Sequence, residues 1–348
     1  MGISEFSIPF RYKTNRSSPF TWLLSHTLHH WAVFLAALIG AIGNAAFAAI
    51  PAVQFGIVFT NLTSGAPDKA VFLRAALIIT YTQIIRGLFQ LMRNFGFEST
   101  AQLIERDVRD EFYISLLGKS MTFHALQSVG DLMARATNDI REVNFLFSPG
   151  INMVFGSLNF LFIPLVIGWE INPALLLTPV LFILSYFLSI AGYLKKLRPV
   201  TSRVRSSFGL MNSRLAEAID GVETVKAAAQ EENEIELFRQ NILAYRNVSV
   251  EQGDMEARFL PLLLLALAMG FGLLHALLLF QQGTIPLGDV IKYFSALALL
   301  SFPTNTSIFS YSQISLGIAS ARRLLSIMNT ENNLDQNDSG FSQPLRGE

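Results

Sequence analysis

The stretch TFHALQSVGDLMARATNDIREV, residues 122–143, is polar and charged, and it lies between two long apolar runs. It follows Met121, and its first six residues form a short patch that ends at Gln127. Ser128 and Asp131 then fit a capping box. In this motif the serine side chain accepts a hydrogen bond from an early backbone N–H of the helix, and the aspartate side chain accepts one from the backbone N–H of the serine. The pattern predicts that one helix ends before this stretch, that another begins after Ser128, and that the chain turns back between them.

The two flanking runs belong to a set of six apolar stretches, each long enough to cross a bilayer as a helix of about 20 residues. The six stretches are about 31–59, 70–95, 143–168, 173–194, 259–281 and 287–310. Of the 348 residues, 51% are hydrophobic and 15% are charged. Soluble proteins carry roughly 25% charged residues. We therefore predict an all-α membrane protein with six transmembrane helices.

The helical pattern of the second stretch continues beyond its apolar part. The positions that recur there at helical spacing are Phe97, Ala101, Ile104, Val108 and Phe112. A helix from residue 70 to Met121 would be about 75–80 Å long, against about 30 Å of hydrocarbon, so more than half of it would stand in water. The fourth and fifth stretches continue similarly through 214–242, with a second turn near 229–234.

The distribution of Lys and Arg predicts the orientation. Both ends of the chain and the long links carry most of the basic residues, whereas the short links have little beyond Lys69, Arg74 and Lys292. The positive-inside bias then predicts a multi-pass protein of the cell membrane, with both termini and the long links in the cytoplasm.

We divide the chain into three parts. Residues 1–30 form a cytoplasmic tail with an interfacial helix, residues 31–329 form the six-helix membrane domain, and residues 330–348 form a polar linker. The linker suggests a chain that is cut short before another domain.

The segment SSPFTWLLSHTLHHW, residues 17–31, predicts an amphipathic interfacial helix that starts at Pro19. We assign His26 and His30 to its polar face, because no metal pattern such as H-E-x-x-H accompanies them. The GKS triplet at 118–120 lacks the glycine-rich loop of a phosphate site. We therefore predict no metal, no catalytic residue and no nucleotide site in this chain. A net charge of zero argues against nucleic acid as a partner.

Three polar side chains within the apolar stretches are candidates for a substrate path, namely Asn44, Arg86 and His275. A structural alternative stays open for each of them. Asn44 suits a hydrogen bond that joins two helices, Arg86 suits extension toward the lipid headgroups, and His275 suits a structural hydrogen bond.

Three segments resemble the membrane domain of ATP-binding cassette (ABC) exporters, and the resemblance covers about residues 20–330. They are GDLMARATNDIREV at 130–143, LAEAIDGVETVKAAAQEENEIELFRQN at 215–241 and SQISLGIASARRLLSIMNTE at 312–331. The signature residues in the first two segments are Gly130, Asp131, Arg135, Asn138, Asp139, Glu217 and Gly221. One departure is AAAQ at 227–230, where many relatives have an aromatic residue and a glycine.

The resemblance implies that the two loop tips are coupling segments, which dock on ATP-hydrolysing domains. The residues concerned are Thr122, Phe123, His124, Ala125, Leu126 and Gln127, and then Ala229, Gln230, Glu231, Glu232, Asn233 and Glu234. The resemblance also implies that ATP and Mg²⁺ bind to a nucleotide-binding domain that this chain lacks. It further implies that the chain pairs with a second membrane half, identical or different, and that both are surrounded by membrane lipid. We expect Phe123→Asp to uncouple hydrolysis from transport without unfolding the protein.

The leading interpretation is the membrane subunit of an ATP-driven exporter that moves an amphipathic lipid, drug or peptide by alternating access. The alternatives are a motor-independent receptor or secondary transporter, and a membrane-embedded enzyme. Ion-coupled carriers tend to have intramembrane carboxylates, which are nearly absent here, and an enzyme would need clustered His, Asp or Glu. Whether the intact protein is an enzyme stays undecided at this point, because only the resembled family hydrolyses ATP.

Overall fold

The computed structural model describes residues 10–330, so residues 1–9 of the predicted tail (1–30) and residues 331–348 of the predicted linker (330–348) lie outside the described residues. Within that range the secondary structure is helical, with no strand, which confirms the all-α prediction. The helices are α1 (Pro19–His29), α2 (Trp31–Ala48), α3 (Ile50–Leu62), α4 (Lys69–Leu117), α5 (Met121–Leu126), α6 (Val129–Ala134), α7 (Ile140–Phe145), α8 (Asn152–Ile171), α9 (Leu177–Asp220), α10 (Val222–Ala227), α11 (Glu231–Ala257), α12 (Leu260–Gln281), α13 (Leu287–Ala298) and α14 (Ser301–Met328).

Two compact units make up the chain. The first unit comprises Met1–Ile171 and Leu279–Glu348, and the second unit comprises Asn172–Leu278. The two predicted long loops are therefore found in different units, with the tip at α5 in the first unit and the tip at α10 in the second unit.

Five helical segments of the described chain are long and apolar enough to cross a membrane. They are Trp31–Leu62, Lys69–Leu117, Val129–Ile171, Pro173–Asp220 and Glu231–Gln281, and they contain the first five predicted stretches. The sixth stretch, 287–310, is not among them, because it is helical but divided between α13 and α14. The reason is local: α13 and α14 are separated at Leu299 and Leu300, α13 has only 12 residues, and α14 begins with several Ser, Thr and Asn side chains.

α4 confirms the predicted continuous helix. It has 49 residues, which correspond to about 74 Å at 1.5 Å per residue. Asp68 caps its N-terminus by accepting from the Ala70 N–H, and the helix ends at Gly118. Beyond its apolar part, α4 buries Ile104, Val108 and Phe112 in a cluster with residues of α1, α5, α7 and α14. This buried core stabilises the polar extension of α4 by packing it against the other helices.

Glycine permits the close approach of two helix pairs in the first unit. A Cβ on Gly40 of α2 would lie 2.6 Å from the backbone nitrogen of Arg93 in α4, and one on Gly288 of α13 would lie 2.2 Å from the carbonyl oxygen of Gly56 in α3. No side chain fits at either place without separating the helices. Small residues play this role widely in membrane helix packing.

α1 differs from a purely interfacial helix. Trp22 and Leu23 are buried in the cluster that also holds the extension of α4, whereas Phe20 and Leu28 are exposed. The helix starts as predicted, with Pro19 in its first turn, and Ser18 and Thr21 cap it reciprocally. One face of α1 therefore packs on protein, and the opposite face remains apolar and exposed.

His26 and His30 lie on one polar face of α1, and this face contacts carboxylates of α4. His26 is fully buried and its Nε2 lies 3.0 Å from Glu111, while the Nε2 of His30 lies 2.7 Å from Asp107. Both histidines point toward α4 because they are four residues apart on the same helical face. Among residues 10–330, no group of three or more potential ligands is arranged to hold a metal ion.

The segment before α1 completes this polar contact with α4. Arg16 donates from Nε to Glu111 at 2.7 Å, Trp22 donates to the same carboxylate at 2.8 Å, and the Tyr12 hydroxyl donates to Asp107 at 2.9 Å. Burial and the hydrogen bond to Asp107 raise the pKa of the Tyr12 phenol. Each buried carboxylate thus has charged or polar partners, which the burial of a carboxylate requires.

Candidate functional site

The first loop tip is the short helix α5. Ser120 caps it by accepting from the Phe123 N–H at 3.2 Å. Phe123 is only 8% exposed and lies in the first unit's core, whereas Met121 and Leu126 are 83% and 79% exposed. The apolar surface that a partner could contact therefore consists of Met121, Leu126 and the exposed Val129, and not of Phe123.

The burial of Phe123 corrects the expectation for Phe123→Asp. A charge in this core would unfold the tip, so the substitution could not leave folding intact. Of the other predicted residues at this tip, Thr122 and Ala125 are exposed, and His124 donates from Nε2 to the Leu116 carbonyl at 3.1 Å.

Lys119 holds the first tip against the end of α14. Its ammonium donates to the carbonyl oxygens of Met328, at 3.0 Å, and Thr330, and it lies 5.7 Å from the centroid of the Phe123 ring. Burial lowers the pKa of Lys119. The ammonium compensates carbonyl groups that have no partner within the helix, as cations do at helix C-termini.

The GKS triplet is thus structural and does not fit ATP. Gly118 ends α4, Lys119 binds the end of α14, and Ser120 caps α5. None of these groups forms the glycine-rich strand-to-helix loop that cradles phosphates.

The signature residues of the first segment connect the loop to α14. Asp139 accepts from Nε and Nη2 of Arg323, at 3.0 and 2.5 Å, and Arg135 donates to the Arg323 carbonyl at 3.0 Å. The hydrogen bonds that Arg323 donates to Asp139 raise the pKa of the guanidinium. Asn138 lines a small cleft beside these residues, and a Cβ on Gly130 would meet open space.

The predicted capping box is half correct. Ser128 accepts from the Asp131 N–H at 3.1 Å, and α6 begins at Val129. The Asp131 carboxylate does not reach back to the cap, because it accepts instead from Arg135 at 2.8 Å. An arginine one helical turn later offers a charge-assisted hydrogen bond, which is stronger than a neutral one.

The predicted second tip, Ala229–Glu234, follows a short additional helix that the sequence analysis did not predict. The short helix α10 spans Val222–Ala227, whereas Ala229–Glu234 comprises a turn and the start of α11. Glu217 and Gly221 mark the end of α9, where the Gly221 N–H donates to the Glu217 carbonyl at 2.9 Å.

An ion pair joins α9 to α11 on either side of the second loop tip. Arg214 of α9 donates to Glu234 of α11 at 2.6 Å. Glu231, Glu232 and Asn233 precede it on an exposed surface, where their side chains are free of the hairpin contact. Acidic residues at this helix start are favourable, because the N-terminus of a helix carries partial positive charge. The second tip therefore presents an acidic surface, in contrast with the apolar surface of α5.

The candidates for a substrate path are divided between the two units, with Asn44 and Arg86 in the first unit and His275 in the second. Asn44 is buried and donates to Gln90 at 3.1 Å, which supports its role in joining α2 to α4. Arg86 donates to Gln83 at 3.1 Å, and its Nε has no partner in the described part of the chain. His275 belongs to the second unit, where it lines an apolar cleft of about 560 Å³ between α9 and α12.

The structure adds three polar residues beside Arg86 that the sequence analysis missed, namely Gln83, Gln90 and Arg93. Gln83, Arg86, Gln90 and Arg93 follow one another at helical spacing on α4, and Gln83 donates to the Phe47 carbonyl of α2 at 3.3 Å. The spacing was visible in the sequence, since four polar side chains recur every three or four residues within an apolar run. Together they form a polar stripe within the second apolar stretch.

The fold and these loop tips define a helical membrane protein with polar helical extensions. Residues 33–304 match the family model of the ABC transporter transmembrane region, so the chain belongs to this family. The resemblance noted from the sequence is thereby confirmed.

Several relatives of this chain are ABC transporter proteins that are longer than it. The chain is 26% identical over 322 residues to the multidrug resistance-like ATP-binding protein MdlA of Buchnera aphidicola, covering 89% of this chain and 54% of the relative. It is 23% identical over 330 residues to an ATP-dependent lipid A-core flippase of Pseudomonas savastanoi, and the match covers 90% of this chain and 54% of the flippase. The chain thus spans about half the length of these relatives.

Proposed function

We propose that this chain is the membrane half of an ATP-driven exporter in the cell membrane, and that it moves an amphipathic substrate. The family membership supports a transport role, and the names of the relatives, which include multidrug resistance-like proteins and lipid flippases, support an amphipathic cargo. ATP and Mg²⁺ belong, in this proposal, to ATP-binding cassette domains that act with the chain. A second membrane half completes the transporter.

The observation that carries the proposal is the connection between the first loop tip and α14. Phe123 fixes α5 in the core, and Lys119 binds the last carbonyl groups of α14. A displacement of α5 by a docked domain would therefore reach α4 and α14 through packed contacts. Motions of this kind occur as rigid-body changes between two packed states.

The exposed residues of α5 provide the sharpest test. Leu126→Asp would place a charge on the proposed docking surface without touching the core, because Leu126 is 79% exposed. We expect ATP-dependent uptake of an amphipathic dye into inverted membrane vesicles to fall about tenfold. The vesicles are made from cells that express the intact gene.

A matched control introduces the same charge outside both loop tips. Leu210→Asp changes a leucine of α9 that is 62% exposed, and its uptake should equal that of the wild type. If the Leu126→Asp variant takes up as much dye as the Leu210→Asp control, docking at α5 is contradicted. Uptake that continues without ATP would instead favour the motor-independent transporter.

A further inference from the structure

A polar cleft of about 570 Å³ lies between α4 and the α7 region of the first unit. The residues that give it its charge and polarity are Glu98, Glu105, Arg109, Arg141, Asn144 and Ser148. Two carboxylates and two guanidinium groups cancel in net charge. The lining therefore suits a ligand that carries both a positive and a negative group, and it differs from the apolar surface of a drug-binding pocket.

The cleft is located where two helices leave their apolar stretches. Glu98 follows the stretch 70–95 on α4, and Arg141 and Asn144 stand at the start of the stretch 143–168. The headgroups of a phospholipid layer occupy this depth, at the boundary between hydrocarbon and water. A phospholipid headgroup at this boundary would meet the charged residues of the cleft.

Asn144 and Arg141 have hydrogen-bonding capacity that the described chain does not use. Asn144 is only 4% exposed, borders the cleft, and has no partner for its Nδ2. An unpaired buried amide costs about 1–3 kcal/mol, so a ligand that accepts this hydrogen bond is favoured. Arg141 contacts the Phe145 ring, at 5.4 Å, but forms no ion pair within residues 10–330.

The acidic side of the cleft retains its negative charge. The carboxylate of Glu98 accepts from Ser148 at 2.7 Å and from Gln102 at 2.9 Å, and both donors are neutral. Glu105 is paired with Arg109 at 2.5 Å, so Glu98 is the carboxylate available to a cation. A ligand ammonium with N–H groups can donate to it, whereas a quaternary ammonium has no hydrogen to donate.

We propose that this cleft binds the phosphoethanolamine headgroup of a membrane phospholipid. Arg141 and Asn144 bind the phosphate, and Glu98 accepts from the ammonium. The lipid is a bound component of the protein, and the proposal is independent of which substrate is transported. A choline headgroup lacks the N–H donors for Glu98, and a glycerol headgroup lacks the positive charge.

Lipid retention measured by native mass spectrometry tests this site. The full chain is reconstituted in nanodiscs with equal amounts of phosphatidylethanolamine, phosphatidylcholine and phosphatidylglycerol. The protein is then released from the nanodiscs in the mass spectrometer, and the lipid molecules that stay bound to it are counted. We expect phosphatidylethanolamine to exceed each of the others about tenfold. Glu98→Gln should abolish this preference, and Arg141→Gln should lower the retention of phosphatidylethanolamine about tenfold.

The control is Arg239→Gln, which removes an arginine that is 67% exposed and belongs to the second unit. Its lipid retention should match that of the wild type. The midpoint temperatures of thermal unfolding should be the same for all three variants. Equal retention of the three lipids by the wild type would overturn the proposal, as would a Glu98→Gln variant that keeps the preference. Binding of soluble glycerophosphoethanolamine with no retained phosphatidylethanolamine would overturn the assignment to a membrane lipid.

Discussion

Ala229 adopts a backbone conformation that costs energy for a residue with a side chain. Its φ is +50°, in the left-handed region, and it lies in the turn between α10 and α11. Glycine populates this region freely, whereas other L-residues pay about 1 kcal/mol. The departure AAAQ, noted in the sequence, thus falls where the backbone favours glycine.

We predict that Ala229→Gly stabilises the chain by roughly 1 kcal/mol, measured by denaturant unfolding in detergent micelles. The matched control is Ala228→Gly, because Ala228 has a φ of −91°. Glycine gains nothing there and should leave stability unchanged or lower it by up to about 1 kcal/mol. A destabilised Ala229→Gly variant would contradict the left-handed conformation.

The two apolar side chains of α5 should differ in their effect on stability. Phe123→Ala removes a buried ring and should cost roughly 3–5 kcal/mol in the free energy of unfolding. Leu126→Ala changes an exposed side chain and should stay within about 0.5 kcal/mol. Chemical unfolding of both variants checks this, and similar costs for the two would mean that α5 packs by another face.

At the scale of elements, the link between the first loop and α14 is specific. The carboxylate of Asp139 binds the guanidinium of Arg323 through two nitrogen atoms, and Arg135 adds a hydrogen bond to the backbone of α14. These residues belong to two of the segments that resemble ABC exporters. The structure thus supplies a physical reason for Asp139 and Arg135 in the signature: they join two helices that are distant in sequence.

A double-mutant cycle on Asp139→Asn and Arg323→Gln measures this link. We expect a coupling free energy of about 0.5–1 kcal/mol, because the Arg323 side chain is half exposed and solvent screens the pair. The same cycle on Glu236 and Arg239, an exposed pair within α11, should give less than about 0.5 kcal/mol. Equal coupling in the two cycles would contradict a special role for Asp139.

At the scale of the whole molecule, the proposed topology places both loop tips on one side of the membrane. The chain has no cysteine, so single cysteines can be introduced without a background. We expect Met121→Cys and Gln230→Cys to react with a membrane-impermeant maleimide only in inverted vesicles. Ala66→Cys and Gln282→Cys, which lie in short links, should react only in intact cells. All four positions are exposed in the structure.

Labelling of the two loop tips from opposite sides would contradict the topology. It would also exclude coupling of both tips to cytoplasmic domains, because one of them would be outside the cell. Labelling of the short links from the same side as the tips would show that the intervening helices do not cross. The experiment does not depend on transport activity, so it separates the topology from the proposed function.

The sequence by itself determined the helical class, the family and the length of α4. The helical class and the length of α4 depend on hydropathy and on periodicity over neighbouring residues, whereas the family followed from the resemblance of three segments to ABC exporters. It also located the turn at Ser128, because a helix cap is decided by adjacent residues. It did not locate the break between α13 and α14 inside the sixth stretch, although Pro303, which cannot donate a backbone hydrogen bond to the preceding turn, lies three residues after Leu300.

Only the tertiary structure decided which side chains are buried. Phe123 and Leu126 are both apolar residues of α5, and contact with the core distinguishes them. His26 meets a carboxylate 85 positions along the chain, and Arg323 meets Asp139 across 184 positions. Such contacts depend on how helices pack, and no local pattern encodes the partner. Hydropathy therefore predicts the helices, whereas packing assigns each polar group its role.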